Sequence, residues 1–254
     1  MEHRRLAQLL EADPDLADGL DPGELTAARA RAVAHVVELE PPVWDTSAIQ
    51  ARAEPGWLGL YVLDGLLIRR VDVGRRAACE LFGPSDLIRP WDTDGDYDPL
   101  PISVEWLVLK PTRLAVLDTG FVLRIARWPT ISSRIVSRVA QRARQLALVQ
   151  AVTHLPRSHA RLLILFWLIA ERWGRVCPDG IRVDLPVTHE VLGLLVGAHR
   201  PTVTIALQRL YRVGFLVREE NGRWLLTRKA IESLEHPDSL DFIDGDDPAV
   251  AAPA

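Results

Sequence analysis

Residues 187–227 read VTHEVLGLLVGAHRPTVTIALQRLYRVGFLVREENGRWLLT, and their pattern decides the fold of the C-terminal part of the chain. Thr188 is a good N-cap, and Glu190 puts negative charge in the first turn, where the helix dipole favours it. Val191, Leu194 and Leu195 follow at helical spacing until Gly197, which tolerates the left-handed turn that joins two helices steeply. Pro201 fits the first turn of a second helix, where a missing amide is harmless, and Val203, Leu207 and Leu210 form its buried face. The other face carries Arg200, Thr204, Ile205 and Gln208, a mixture of hydrogen-bonding and methyl-contacting side chains suited to base edges. After Gly214, Phe215-Leu216-Val217 and Trp224-Leu225-Leu226 flank Glu219-Glu220-Asn221-Gly222, a two-stranded wing with an Asn-Gly turn. Arg223 would then lie at the wing tip, near phosphate. Helix, Gly turn, helix and wing in this order point to a winged helix-turn-helix; the alternative is a helical hairpin and β-hairpin used only for packing.

Charge is uneven around this stretch. Residues 154–230 hold 12 Lys or Arg against 6 Asp or Glu, whereas residues 231–254 hold none against 7, so the net charge of −4 conceals a basic segment followed by an acidic tail. That asymmetry suits a phosphate-binding domain.

Upstream, residues 1–35 read as helical, with Leu6, Leu9 and Leu10 on one face and breaks at Asp13-Pro14 and Asp21-Pro22. Short apolar runs follow: Val36 to Leu39, Leu58 to Leu63, Leu66 to Val71, Ala77 to Phe82, Ile102 to Leu109 and Leu114 to Leu117. With Asp64-Gly65 as a hairpin signal, they predict an antiparallel β-roll. From Pro129 to His154 no Gly or Pro interrupts a helix of about seven turns. Ile135, Val139, Leu146 and Val149 form one narrow stripe along it, interrupted by Arg142. Such a stripe suits a seam between two subunits, and it suits equally a helix lying on its own β-roll. A second helix, Ser158 to Arg172, is apolar nearly all round.

The stretch 187–227 resembles the C-terminal domain of Crp/Fnr regulators, without a gap. The family's Gly-small-Ser-Arg-Glu-Thr-Val run, its Leu-x-x-Leu ending and its Gly-hydrophobic-hydrophobic strand are met here by Gly197 to Val203, Leu207 to Leu210 and Gly214 to Leu216. The β-roll, long helix and apolar helix come in the family's order, so the resemblance spans most of residues 36–230. It implies an α+β protein: an N-terminal antiparallel β-roll of the cyclic-nucleotide-binding type, a long dimerisation helix and a C-terminal winged helix-turn-helix. By position, Thr188, His189, His199 and Thr202 correspond to phosphate contacts, which orient without specifying. Two reading positions depart from the family: Pro201 replaces its Glu, and Ile205 replaces its second Arg. Arg200 remains to read guanine, and Ile205 could meet a thymine methyl.

Gly83-Pro84-Ser85-Asp86-Leu87-Ile88 resembles the lead-in to the family's cyclic-nucleotide cassette. Arg89-Pro90 then stands where Gly-Glu is expected, and Asp92, Asp94, Asp96 and Asp98 follow with no Arg. Four carboxylates would repel a phosphate. They are no calcium loop either, since Gly95 falls fourth rather than sixth and Ser103 stands where Glu is needed. Haem held by Cys79 or His35 lacks an attachment motif. No cofactor or metal is expected.

The expected division is 1–128 (helices and β-roll), 129–154 (dimerisation helix), 155–230 (winged helix-turn-helix) and 231–254 (acidic tail, disordered). The expected partners are double-stranded DNA, a second copy of the chain and RNA polymerase, with the effector unknown. The longest apolar run, Leu162 to Ala170, is too short to span a bilayer, and the Met1 region leads into no signal-like stretch, so a cytoplasmic location is expected. No nucleophile elbow, paired metal-ligand histidines or phosphate-cradling glycine loop argues for an enzyme. A protein-interaction scaffold with a degenerate winged helix is the competing reading.

Overall fold

The computed structural model describes residues 5–93, 102–220 and 222–235. Asp94, Asp96 and Asp98, Asn221 and the tail from residue 236 lie outside them. The chain divides into two compact units, Met1–Leu146 and Ala147–Ala254, a division that falls inside the long helix rather than at its ends.

The first unit runs β1 (Leu6–Gln8), α1 (Leu9–Ala12), a 3-10 turn (Pro14–Ala17), α2 (Pro22–Arg31), β2 (Val33–Leu39), α3 (Ser47–Gln50), β3 (Gly59–Val73), β4 (Arg76–Phe82), β5 (Leu87–Ile88), β6 (Ile102–Leu117), α4 (Thr119–Ile125) and α5 (Pro129–Thr153). The described strands form one antiparallel sheet in the order β1-β2-β6-β3-β4, with β5 also on β3. Two long strands make its centre. Leu60 and Val62 of β3, like Leu114 and Val116 of β6, point into a core with Trp57, Phe82 and Trp106. The alternating Tyr61, Leu63, Ala115 and Leu117 point into a second core under α1, α2, α4 and the start of α5. Period-two side chains buried on both faces explain why these runs are continuously apolar.

Three expectations are corrected here. The start of the chain is not wholly helical: Leu6, Ala7 and Gln8 pair with His35, Ala34 and Val33 as an edge strand, which leaves Leu6 exposed while Leu9 and Leu10 are buried. Asp64-Gly65 is not a hairpin turn but a bulge within β3, opposite an irregularity in β6 at Pro111. Gly65 has φ +94°, and a Cβ there would lie 2.2 Å from Thr112 Oγ1, so glycine serves close approach rather than reversal. The chain reverses instead at Gly74-Arg75, between the paired Val73 and Arg76. The runs 102–109 and 114–117 are accordingly one strand.

The second unit contains α6 (Ser158–Trp173), β7 (Arg175–Cys177), β8 (Gly180–Val183), α7 (His189–Val196), α8 (Arg200–Arg212), β9 (Leu216–Arg218), β10 (Trp224–Thr227) and α9 (Arg228–Glu235). The sheet order is β7-β8-β10-β9, so the wing strands β9 and β10 are extended by a hairpin absent from the sequence reading. Leu162, Leu163 and Phe166 of α6 are fully buried. Trp224 anchors the sheet: it is 2% exposed, its Nε1 donates to Leu185 O at 2.9 Å, and its ring lies 4.7 Å from that of Phe166.

Along α5 the structure splits the single stripe read from sequence into two. Ile131 and Ile135 are fully buried in the first unit's core. Arg138 and Arg142, the next residues at the same 4-3-4 spacing, bind that unit's carboxylates: Arg138 Nη2 lies 2.8 Å from Asp13 Oδ2, and Arg142 Nε donates to Glu80 Oε1 at 2.7 Å with its guanidinium over Phe82. Ile135 and Arg142 are therefore taken up within the protomer, and their placement in a seam between subunits is corrected. Val139 and Leu146 stay exposed, joined by Val136 and Ala143, while Val149 is half-buried.

Candidate nucleic-acid interface

Helix α7 begins where Thr188 Oγ1 accepts the Val191 amide at 3.2 Å, and ends at Gly197, which has φ +65°. Its buried residues are Leu192, Gly193, Leu195 and Val196; Val191 and Leu194, assigned to the buried face from spacing, are half-buried at its edges. Gly193 makes the tight turn possible. A Cβ at this position would lie 2.4 Å from Ala198 O, and its own carbonyl accepts the Ala198 amide at 2.9 Å. Arg161 of α6 closes the C-terminal end of α7, with Nη1 donating to Val196 O at 3.3 Å and Gly197 O at 3.2 Å. A cation suits that end of the helix dipole.

Helix α8 starts with Pro201 in its first turn and buries Val203, Ala206, Leu207 and Leu210. At 100° per residue the opposite side is centred on Pro201, Ile205, Gln208 and Arg212, all exposed. Ile205 is 68% exposed. Arg200 and Thr202 are exposed on the two flanks of that face, and His199 is exposed at the N-cap position. Thr204 is different: its hydroxyl lies 3.1 Å from Arg200 O and 2.9 Å from His189 Nδ1, so it ties α7 to α8. Whichever way the shared proton lies, that oxygen is engaged inside the protomer.

The wing pairs Trp224 with Arg218, and Glu219 N donates to Arg223 O at 2.9 Å across its tip. Arg223 is exposed there. The guanidinium of Arg218 lies 4.1 Å from the Trp224 ring centre, which holds a second exposed cation beside it. Arg212 and Arg218 were not singled out from sequence. Arg212 lies one turn past Gln208, so the helical period alone could have found it; the stacking of Arg218 on Trp224 depends on strand register. Among the described residues, no group of three or more His, Cys, Asp or Glu is placed to hold a metal ion.

Two packed helices joined at a left-handed Gly197, with a cation-flanked exposed face on the second and a wing after it, make the arrangement of a winged helix-turn-helix DNA-binding module. Residues 159–236 match the Crp-like helix-turn-helix domain family. The chain is 28% identical over 172 residues to the CRP-like cAMP-activated global transcriptional regulator of Mycobacterium tuberculosis H37Rv, covering 65% of this chain and 74% of that protein. It is also 28% identical over 145 residues to the regulatory protein CysR of Synechococcus elongatus, covering 56% of this chain and 62% of CysR. A CooA mutant from Carboxydothermus hydrogenoformans shares the fold, with TM-score 0.57 at 17% identity over 90% of this chain and 97% of that one. Residues 159–236 are thus a Crp-like helix-turn-helix domain, and over about two thirds of its length the chain is similar to a transcription regulator of that type. Among the described residues no helix is long and apolar enough to cross a membrane.

Proposed function

We propose that this protein is a sequence-specific regulator that binds DNA as a homodimer, and that its N-terminal domain does not take a cyclic nucleotide. The observation that carries the DNA reading is the exposed side of α8: Arg200, Ile205, Gln208 and Arg212, with no carboxylate anywhere from residue 200 to 212. Arg200, Ile205 and Gln208 are assigned to bases; His189, His199, Thr202 and Arg223 to phosphate, with Arg218 and Thr188 beside them. Thr188 contributes its backbone at most, because its hydroxyl already caps α7.

Dimerisation is assigned to Val136, Val139, Ala143 and Leu146. Their 3-4-3 spacing is that of a coiled-coil seam, and Val136, Val139 and Leu146 are 54%, 48% and 41% exposed in the protomer. Contact with RNA polymerase belongs to the same reading, since a regulator bound at a promoter acts through it.

Against cyclic nucleotides stands the use made of the cassette. Arg89, at the position where the family's Gly-Glu begins, donates to Trp57 O at 2.9 Å and to Asp92 at 2.6 Å, and its guanidinium lies over Trp91. Trp57, Phe82 and Trp106 fill the core of the roll. The mycobacterial relative is cAMP-activated by name; in this chain the sequence from Asp92 to Ser103 offers no Lys or Arg to meet a cyclic phosphate.

Binding to random duplex DNA over a salt series, followed by calorimetry with cyclic AMP and cyclic GMP at millimolar concentration, tests the reading. A steep negative salt slope and no heat from either nucleotide are expected. Salt-independent binding would support the scaffold role instead, and a micromolar dissociation constant for either nucleotide would overturn the second half.

A further inference from the structure

We infer that Ile205 makes this protein a reader of the thymine C5 methyl group, beside a base pair read by Gln208, and that Thr204 is a positioning residue rather than a base reader. The inference rests on the DNA-binding reading above and specifies what the interface recognises.

Three observations converge. Ile205 is 68% exposed, although the same helix fully buries Val203, Leu207 and Leu210 on its other side, so nothing within the protomer uses this side chain. It lies at the centre of the exposed face, between Pro201 and Gln208, where a side chain would enter the groove. An isoleucine carries no hydrogen-bonding atom, and the thymine methyl is the one apolar mark on a major-groove edge, so shape and chemistry leave it a single base to prefer. Gln208 lies three residues on, about 4.5 Å along the helix at 1.5 Å per residue, which is close to one base step of 3.4 Å. Its amide can pair bidentately with adenine N6 and N7.

The Thr204 hydroxyl points a different way. With Arg200 O at 3.1 Å and His189 Nδ1 at 2.9 Å it is occupied, and its work is to hold the His189 ring at the entrance to α7. Loss of that hydroxyl should loosen a phosphate-facing group and lower affinity for every sequence alike. With no acidic side chain on α8, cytosine N4 has no carboxylate acceptor on this helix. The half-site is therefore expected to be centred on an A·T step, flanked by the guanine that Arg200 reads.

The test is selection of bound sites from a random duplex library with the full-length protein, followed by replacement of each thymine of the selected site by deoxyuridine, which removes one methyl and nothing else. One thymine per half-site should be sensitive. Burial of one methyl corresponds to about a fourfold loss, and to roughly fifteenfold when both half-sites are changed. The exposed-surface variant Ile205→Ala should bind thymine and deoxyuridine sites equally at that position. Thr204→Val should weaken binding uniformly and leave the selected sequence unchanged. Deoxyuridine indifference at every position, an unchanged thymine preference in Ile205→Ala, or a new base preference in Thr204→Val would each overturn the inference while leaving DNA binding intact. Absence of any selected site would overturn both readings.

Discussion

The Asp13 carboxylate and the Arg138 guanidinium meet at 2.8 Å across 125 residues of chain. Asp13 is 5% exposed, and the same oxygen accepts from the Tyr61 hydroxyl and, at 2.8 Å, from Ser85 Oγ. One buried charge thus joins the N-terminal segment, β3, the turn at Ser85 and α5. Removing the carboxylate leaves Arg138 with the exposed Asp15, 3.7 Å away, and a long hydrogen bond to Gln141 at 3.4 Å, and takes their shared acceptor from Tyr61, Ser85 and Arg138. Asp13→Ala should destabilise the first unit by roughly 3 kcal/mol, the lower end of what losing one partner of a buried pair costs. Urea unfolding followed by tryptophan fluorescence measures it; a change below about 1 kcal/mol would show that the network contributes little.

Tyr61 gives that network a pH signature. Burial raises its pKa well above the ordinary 10.0, and the neighbouring Asp13 carboxylate, by hydrogen bond and charge, raises it further. A folded-state value above the unfolded one means that the native state keeps its proton longer. The stabilisation is then complete below pH 10 and is lost as the pH rises beyond it. Stability measured between pH 9 and pH 11 should fall, and Tyr61→Phe should flatten that fall. An equal slope in wild type and variant would exclude Tyr61 as the titrating group.

Gly193→Ala carries an unusual sign. Inside a helix this exchange ordinarily stabilises by about 1 kcal/mol, yet here the new methyl would meet Ala198 O at 2.4 Å. Overpacking against backbone should make the variant less stable by roughly 1–3 kcal/mol and weaken DNA binding by shifting α8. A stabilised variant with normal affinity would show that the turn can relax.

Pairing Val139→Glu with Leu146→Glu should yield folded monomers in sedimentation, because like charges would face each other across an apolar seam. Ile135→Glu serves as the contrast. That residue is fully buried in its own protomer, so the substitution should unfold the first unit rather than dissociate a dimer. Wild-type protein that is monomeric at micromolar concentration would remove the seam.

The legible parts of this chain are those where local chemistry and tertiary need coincide. Thr188, Gly197, Pro201 and Gly214 mark helix ends by their own backbone preferences, so the helix-turn-helix could be read to within a residue or two. Asp64-Gly65 carries the local signature of a turn, but its meaning is set by Thr112 and Pro111 on the facing strand, which no local reading can weigh. The hairpin of β7 and β8 is legible in principle, since Pro178-Asp179-Gly180 carries a turn signal between strands as short as those of the wing, but its short apolar runs hold no period long enough to mark them on their own. On α5, hydrophobicity alone merged two faces. Arg138 and Arg142 belong to the buried one because of Asp13, Glu80 and Phe82, residues that only the fold brings near. The same limit hides the role of Thr204, whose hydroxyl meets His189, a residue on another helix that only the fold brings near.

The alternation of Leu60 to Leu63 and of Leu114 to Leu117 between two cores has a bearing on how relatives of this chain can diverge. Each residue in these runs may change size within the room its neighbours leave. Adding or deleting a single residue within either run, however, would exchange the two sides and send Tyr61, which binds Asp13, into the tryptophan-lined interior. Such length changes can be absorbed only where pairing is already irregular, at the bulge around Gly65 and Pro111. Insertions and deletions among descendants of this sequence should therefore collect at that bulge, and the two four-residue runs should align without gaps.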